Sequence, residues 1–401
     1  MIHSLRGMND IICDERFTYF LQTAEKIAKN YGFCYIETPI LEETALFKRS
    51  VGESSDIVGK EMYQFEDKGG NDVCMRPEGT AGVVRAFLEK KLDRAGGIHR
   101  YYYYGPMFRY ERPQKGRLRE FHQFGVESFG VESVYEDMSI IMMIADILDA
   151  LGIGYRLKLN SLGCKECMPP YREQLVAFLE EKEDQICEDC KRRKDTNPIR
   201  VLDCKNEKCQ SLYADAPKLL ENLCENCAND FEKLQKLLDA HSIDYEIDSN
   251  LVRGLDYYSK TAFEFVSDGI GAQNAIAGGG RYDRLVEFLG GKPTPAVGFA
   301  MGIERLLDLI KMPQAQREGY YIGAMDEESV EIAIELGHKK RKSDKAVVEY
   351  KKKSLKNHLK GADKINARYC AVIGEDERKN ATVWVKDLLE KTERVIPQSE
   401  F

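Results

Sequence analysis

Two aromatic, alternating runs separated by a polar loop constrain this chain more than any other feature. They are Tyr102-Tyr103-Tyr104-Gly105-Pro106-Met107-Phe108-Arg109-Tyr110 and Glu120-Phe121-His122-Gln123-Phe124-Gly125-Val126-Glu127. Bulky residues at every second position mark strands with two unlike faces. The intervening Glu111 to Arg119 is polar, basic and contains Gly and Pro. The pair is therefore expected as two strands joined by a long charged loop.

Hydrophobic spacing organises the rest. Residues 14–30 place Phe17, Phe20, Leu21, Ala24, Ile27 and Ala28 as a helix would, before a Tyr31-Gly32 stop. A strand is expected over 33–38, closed by Pro39, and a helix over 81–88 after Glu78-Gly79-Thr80. Further on, helices are expected over 137–151, 282–289 and 302–311, and strands over 155–161, 262–266 and 296–300. Gly278-Gly279-Gly280 is expected as a turn. From Cys164 to about Tyr245 the chain is cysteine-rich, charged and helical in pattern; 312–316 reads as a linker. The expected fold class is α+β. An antiparallel-sheet body (1–163 and 247–312) would carry a helical insertion (164–246) and be followed by a separate α/β domain (317–401).

A chain of 401 residues can hold two or three such cores. No apolar run reaches about 18 residues, so no membrane span is expected. Met1 to Gly7 lacks the basic and apolar regions of a secretion signal, and with twelve cysteines this points to a reduced, cytoplasmic protein. The net charge of −8 argues against a general polyanion binder, but the charge is uneven. Residues 317–401 carry a net +2, which leaves −10 on the other 316. Lys339 to Lys364 alone holds eleven basic and three acidic residues. That segment reads either as a solvated helix face or as a phosphate-binding patch.

Arginine expected within strands, at three places near glycine, is the main chemical anomaly. Arg109 lies in an aromatic strand, Arg253 in Asn250-Leu251-Val252-Arg253-Gly254-Leu255-Asp256-Tyr257-Tyr258, and Arg305 at the end of the run from Gly298. A half-buried guanidinium needs an anionic partner. One could be a structural ion pair, whereas three in an acidic body suggest a polyphosphate site. Ala277-Gly278-Gly279-Gly280-Arg281 would let a ligand approach the backbone closely. There is no P-loop and no dinucleotide fingerprint.

These segments resemble the histidyl-tRNA synthetase family of class II aminoacyl-tRNA synthetases, over essentially the whole chain. The resemblance is carried by Arg6-Gly7-Met8-Asn9-Asp10, Pro39 and Arg76-Pro77-Glu78-Gly79-Thr80. It continues in Phe108 to Pro113 with Arg119 to Gln123, in Leu251 to Tyr258, in Gly278 to Asp283 and in Gly298 to Arg305. It implies activation of L-histidine by ATP with Mg2+, then transfer to the 3′ end of tRNA(His). Arg109 and Arg253 would be catalytic, and Arg109, Glu111, Arg117 and Arg305 would bind ATP. Glu78, Thr80, Gln123, Glu127, Arg253, Tyr257 and Tyr258 would bind histidine. Gln114 and Arg119 would meet the tRNA acceptor end, where an extra 5′ guanylate identifies the family's tRNA. The C-terminal segment resembles an anticodon-binding module, and Pro39 implies a homodimer. The competing functions are a histidine-binding regulatory paralogue of ATP phosphoribosyltransferase and a degenerate synthetase that only binds RNA. The retained Arg253 motif and C-terminal module argue against the first, and intact Arg109, Arg253 and Arg305 against the second.

The insertion adds a signal the resemblance does not bring. Cys164-x2-Cys167, Cys187-x2-Cys190, Cys204-x4-Cys209 and Cys224-x2-Cys227 have zinc-ligand spacing, enough for one or two four-cysteine sites. Free thiols packed in a helical module are the alternative, and the pairing is open. Cys13, Cys34, Cys74 and Cys370 are isolated and expected in cores.

Overall fold

An eight-stranded sheet carries the N-terminal part of the computed structural model, which describes residues 2–52, 55, 57–204, 206–270, 274–314 and 316–401. Its strands run in the spatial order Cys34–Tyr35, His99–Phe108, Glu120–Phe129, Ala296–Gly302, Ala275–Arg281, Ser259–Val266, Arg156–Ser161 and Tyr245–Ile247. Only the outermost pair at each end is parallel. The two aromatic runs form the longest ladder, from His99 opposite Phe129 to Phe108 opposite Glu120. The first edge strand covers only Cys34–Tyr35, shorter than the 33–38 expected, with one further bond from Ile36 N–H to Tyr102 O at 2.9 Å.

Period-two alternation sorts side chains onto two faces. Phe124, Val126, Phe263, Phe265, Phe299 and Met301 pack under the helices Glu15–Asn30, Val134–Ala150 and Glu225–Ala240. Asp14 caps the first helix by accepting from the Arg16 N–H at 3.0 Å, and Phe20, Ala24 and Ala28 on its inner side are buried. Val134–Ala150 is apolar nearly all round and accordingly sits deep in this core.

Three expectations change here. Gly278-Gly279-Gly280 is not a turn; it lies inside a central strand, paired on both sides. None of the three arginines lies in a strand: Arg109 follows one, Arg253 sits in an irregular segment and Arg305 is in the helix Ile303–Leu307. The helices expected over 282–289 and 302–311 shrink to Leu285–Phe288 and Ile303–Leu307. Tyr282 instead donates its N–H to Ala296 O at 2.9 Å, and Lys311 donates to Leu151 O at 3.1 Å, which draws both ends off the helical path.

The cysteine-rich stretch holds the helices Met168–Glu181, Glu188–Thr196 and Glu207–Tyr213 around a small core of its own, with Tyr171, Leu175, Leu179 and Val201. Its last helix, Glu225–Ala240, packs into the main core through Phe231, Leu234 and Leu238. All twelve cysteines are unpaired; Cys74 and Cys370 are buried as expected, but Cys13 and Cys34 are exposed. The chain divides into two compact units, 1–311 and 312–401. The second is a five-stranded mixed sheet ordered Ala346–Val348, Tyr320–Ala324, Tyr369–Ile373, Thr382–Asp387 and Glu393–Pro397, with the first three parallel. No helix among the described residues is long and apolar enough to cross a membrane.

Candidate active site

The second face of the large sheet is floored by residues without bulk. Register places Gly125 opposite Ala300, Ala300 opposite Gly278, and Gly298 between Glu127 and Gly280. Larger side chains, one from an irregular segment and two from neighbouring strand positions, lie across this floor. A Cβ on Gly278 would stand 2.5 Å from Arg253 Nη1 and 2.7 Å from its Cζ, and one on Gly125 would collide with the Tyr103 ring. One on Gly298 would collide with the Glu127 carboxylate. Glycine is required at these places by close approach rather than by a turn.

Above the floor lies a cavity of about 320 Å3. Its wall includes Glu78, Thr80, Arg109, Glu111, Gln114, Arg117, Gln123, Arg253, Tyr257, Tyr258 and Arg305. Segments far apart in the chain thus converge on one space. Two sequence-selected residues stand outside its lining. Arg119 packs its guanidinium 3.8 Å from the Tyr110 ring centre, and its Nε donates to Glu111 O at 3.2 Å. Glu127 is 1% exposed and sits one layer behind the wall.

At one end the cavity gathers positive charge. Arg109 Nε donates to Pro77 O at 2.9 Å, and Arg305 donates to Gly116 O and Ala275 O, each at 2.8 Å. These partners are neutral carbonyls, so they orient the guanidiniums without cancelling their charge. Burial, with Arg117 and Arg109 close by, pulls the Arg305 guanidinium below its ordinary value. That is the signature of cations held together in advance of an anion. Arg117 Nε lies 3.2 Å from Glu111 Oε2. Arg253 differs, because its Nη1 donates to Glu264 Oε2 at 2.9 Å while its Nε is buried without a partner among the described residues. Burial alone would lower it, but Tyr258 and Glu264 outweigh that and hold it above its ordinary value.

The other end is polar and tightly bonded. Both Glu78 oxygens accept from the start of the helix Thr80–Glu89, at 2.7 Å from Thr80 N and 2.8 Å from Ala81 N. Glu127 accepts from Thr80 Oγ1 at 2.7 Å, from the Tyr103 hydroxyl at 3.1 Å and from the Tyr282 hydroxyl. Burial still pushes its carboxyl up to about 8. Gln123 Oε1 and the Tyr257 hydroxyl are buried with no partner among the described residues. Unpaired buried polar atoms are costly, and here they face a space a polar ligand can fill.

Sequence reasoning missed Tyr103, Tyr282, Glu264 and Glu304. Glu264 and Glu304 line the cavity, and the two tyrosines hold Glu127. Glu264 had a signal, a carboxylate between Phe263 and Phe265 in a strand. Glu304 accepts from His122 N and Nδ1 and was hidden beside Arg305. Arg281, by contrast, serves the fold: it is fully buried, and its Nη2 meets Asp137 Oδ2 at 2.6 Å. Among the described residues, the groups able to hold a metal ion are two cysteine quartets, neither of them at the cavity.

Comparison with known proteins gives one consistent answer. The family model described as Histidyl-tRNA synthetase matches residues 15–306, and the one described as Anticodon binding domain matches 314–401. The Histidine--tRNA ligase of Sulfurimonas denitrificans is 72% identical, with 100% of both chains covered. That of Sulfurovum sp. is 68% identical, again over 100% of both. The structure of apo S. aureus histidyl-tRNA synthetase matches with a TM-score of 0.82 at 33% identity, covering 100% of this chain and 98% of that one. With its arginine-lined cavity on an antiparallel sheet and these matches along its full length, the chain belongs to the histidyl-tRNA synthetase family.

Proposed function

We propose that this chain activates L-histidine with ATP and transfers it to the 3′ end of tRNA(His). The histidine carboxylate attacks the α-phosphorus, pyrophosphate leaves, and histidyl-adenylate remains. A ribose hydroxyl of the terminal adenosine then attacks the carbonyl and AMP leaves. The observation that carries this reading is the pairing of two unlike ends in one cavity. Arg109 and Arg305, held by neutral carbonyls, face one way, and buried carboxylates, tyrosines and an amide face the other.

Charge builds on the non-bridging oxygens of the α-phosphate during attack, so preorganised donors there speed the reaction. Arg109 and Arg253 take that role from opposite sides of the cavity. Arg305 holds the γ-phosphate, and Glu111 with Arg117 flanks the nucleotide. Mg2+ would be held chiefly by the ATP phosphates and water, and would neutralise part of the phosphate charge. Glu78, Thr80 and Gln123 receive the α-amino group. Tyr257 and Tyr258 face the imidazole, and Glu127 acts on the substrate through Thr80, whose Oγ1 donates to it at 2.7 Å. A site of hydrogen-bonding groups rejects isosteres that lack the matching atoms. Gln114 and Arg119, on the loop between the two long strands, meet the tRNA acceptor end.

The C-terminal unit binds the anticodon arm. Lys356, Lys360 and Lys364 recur at four-residue spacing on the helix Leu355–Lys364, all exposed, next to exposed Lys351 and Lys352. This is a surface suited to phosphates. Exposed Tyr35, Ile40, Leu41 and Tyr104 near the parallel sheet edge support a homodimer. Unpaired cysteines fit a cytoplasmic location.

Amino-acid-dependent ATP–pyrophosphate exchange tests the reading. Exchange with histidine and none of the other nineteen is expected. Histidine binding without exchange would favour the regulatory paralogue instead.

A further inference from the structure

Eight cysteines outside the cavity play no part in the chemistry above, yet they are arranged more sharply than packing requires. They form two quartets, Cys164, Cys167, Cys224 and Cys227, and Cys187, Cys190, Cys204 and Cys209. Within each quartet the sulfur atoms all lie within 4.8 Å of one another. The pairing left open by spacing is thus nested, with one quartet closing the base of the insertion and the other lying inside it.

Distances separate the possible chemistries. Cys164 Sγ lies 3.8 Å from Cys167 Sγ and 3.7 Å from Cys224 Sγ, and Cys187 Sγ lies 3.8 Å from Cys204 Sγ. A disulfide needs about 2.05 Å. A tetrahedral ion with metal–sulfur bonds of about 2.3 Å sets its ligands about 3.8 Å apart along each edge. A multi-iron cluster needs a wider opening to hold its own metal and sulfide atoms.

Backbone donors point at four of the sulfur atoms. Backbone N–H groups of Glu166 and Cys224 donate to Cys164 Sγ and Cys167 Sγ at 3.4 and 3.2 Å. Those of Cys187 and Asn206 donate to Cys209 Sγ and Cys204 Sγ at 3.3 and 3.4 Å. Cys167, Cys224 and Cys187 are the N-cap residues of Met168–Glu181, Glu225–Ala240 and Glu188–Thr196. Such positions stabilise a thiolate and orient it as a metal ligand. The module's own apolar core is small, and small cores are commonly stapled.

We propose that each quartet binds one Zn2+ as a structural tetrathiolate site, two ions per chain. Each ion takes four thiolates and displaces their protons. The outer site ties the segment after the strand Arg156–Ser161 to the start of Glu225–Ala240, where the insertion begins and ends on the main core. The inner site brackets Asn197 to Arg200. Asn197 Nδ2 and Arg200 Nε each donate to Asp256 Oδ1 at 2.9 Å, and Arg200 Nη2 donates to Gly254 O at 2.6 Å. The inner ion therefore lies behind the loop that carries Arg253, Tyr257 and Tyr258.

The test is elemental analysis of full-length protein purified without chelator. Two zinc per chain are expected, one in Cys167→Ser, one in Cys190→Ser and none in the double variant. Should a variant fail to fold, wild-type protein exchanged with Co2+ decides the matter: it should take up two Co2+ with the ligand-field bands of a tetrahedral tetrathiolate. Protein free of metal, with these eight thiols titrating freely or joined as disulfides, would overturn the proposal. Iron in place of zinc would overturn the assignment of the metal. A single zinc would overturn the two-site count.

Discussion

On the face of the large sheet that meets the helices, Phe124, Val126, Phe263, Phe265, Phe299 and Met301 fill the inward positions. On the opposite face these strands, with the strand Ala275–Arg281 among them, present Gly125, Gly278, Gly280, Gly298 and Ala300. The first face buries large apolar side chains against close-packed neighbours, which is where folding free energy comes from. The second withholds side chains, so that Arg253 from an irregular segment, and Tyr103 and Glu127 from neighbouring strand positions, can lie against the backbone. A strand with period two can thus serve stability and chemistry at once, provided the two are kept on alternate residues.

That separation can be broken one face at a time. The largest expected effect is on the helix-covered side, where Phe299→Ala should lower unfolding free energy by about 3–5 kcal/mol in denaturant melts. Its activity per folded molecule should be unchanged. On the ligand side, Gly278→Val places its Cβ against the Arg253 guanidinium, the flexible end of a side chain. Exchange activity should fall about 10²–10³-fold while stability stays within about 1 kcal/mol.

A pH experiment sharpens the comparison further, because it acts on a group buried on the ligand side. The Glu127 carboxyl titrates at about 8 in the folded chain, against 4.5 when unperturbed. Between those values the unfolded chain has released a proton that the folded chain keeps, so stability falls as pH rises through the window and levels off above it. Glu127→Gln removes this dependence. The difference in unfolding free energy between pH 5 and pH 8 should shrink by on the order of a few kcal/mol relative to wild type. The smallest effect is expected from Tyr257→Phe, which deletes a buried hydroxyl without a partner among the described residues. Stability should hold or rise slightly, while KM for histidine rises by about fivefold, the worth of about 1 kcal/mol.

Much of the fold was readable because its signals were local. Alternation in 101–130 marks the longest ladder, and the Asp14 cap with three- and four-residue spacing marks the first helix. The site was readable through its arginines, since charge among apolar residues demands a reason. What stayed hidden depends on contacts distant in sequence. A glycine triplet looks like a turn until Arg253 is seen lying across it. Arg281 resembles the other arginines until Asp137, 144 residues away, is found beside it in the core. Tyr103 was one tyrosine in a run, and only the register that sets it opposite Gly125 links it to Glu127. The cysteine pairs were visible, but their nesting depends on helix N-termini meeting across the insertion.

The division of labour between the two faces is tested most directly by measuring histidine-dependent ATP–pyrophosphate exchange and denaturant stability side by side for Gly278→Val and Phe299→Ala. The account predicts a crossed result. Gly278→Val should lose exchange and keep its stability, and Phe299→Ala should lose stability and keep exchange per folded molecule. If both readouts fall together in both variants, the two faces are not separable and the account is wrong.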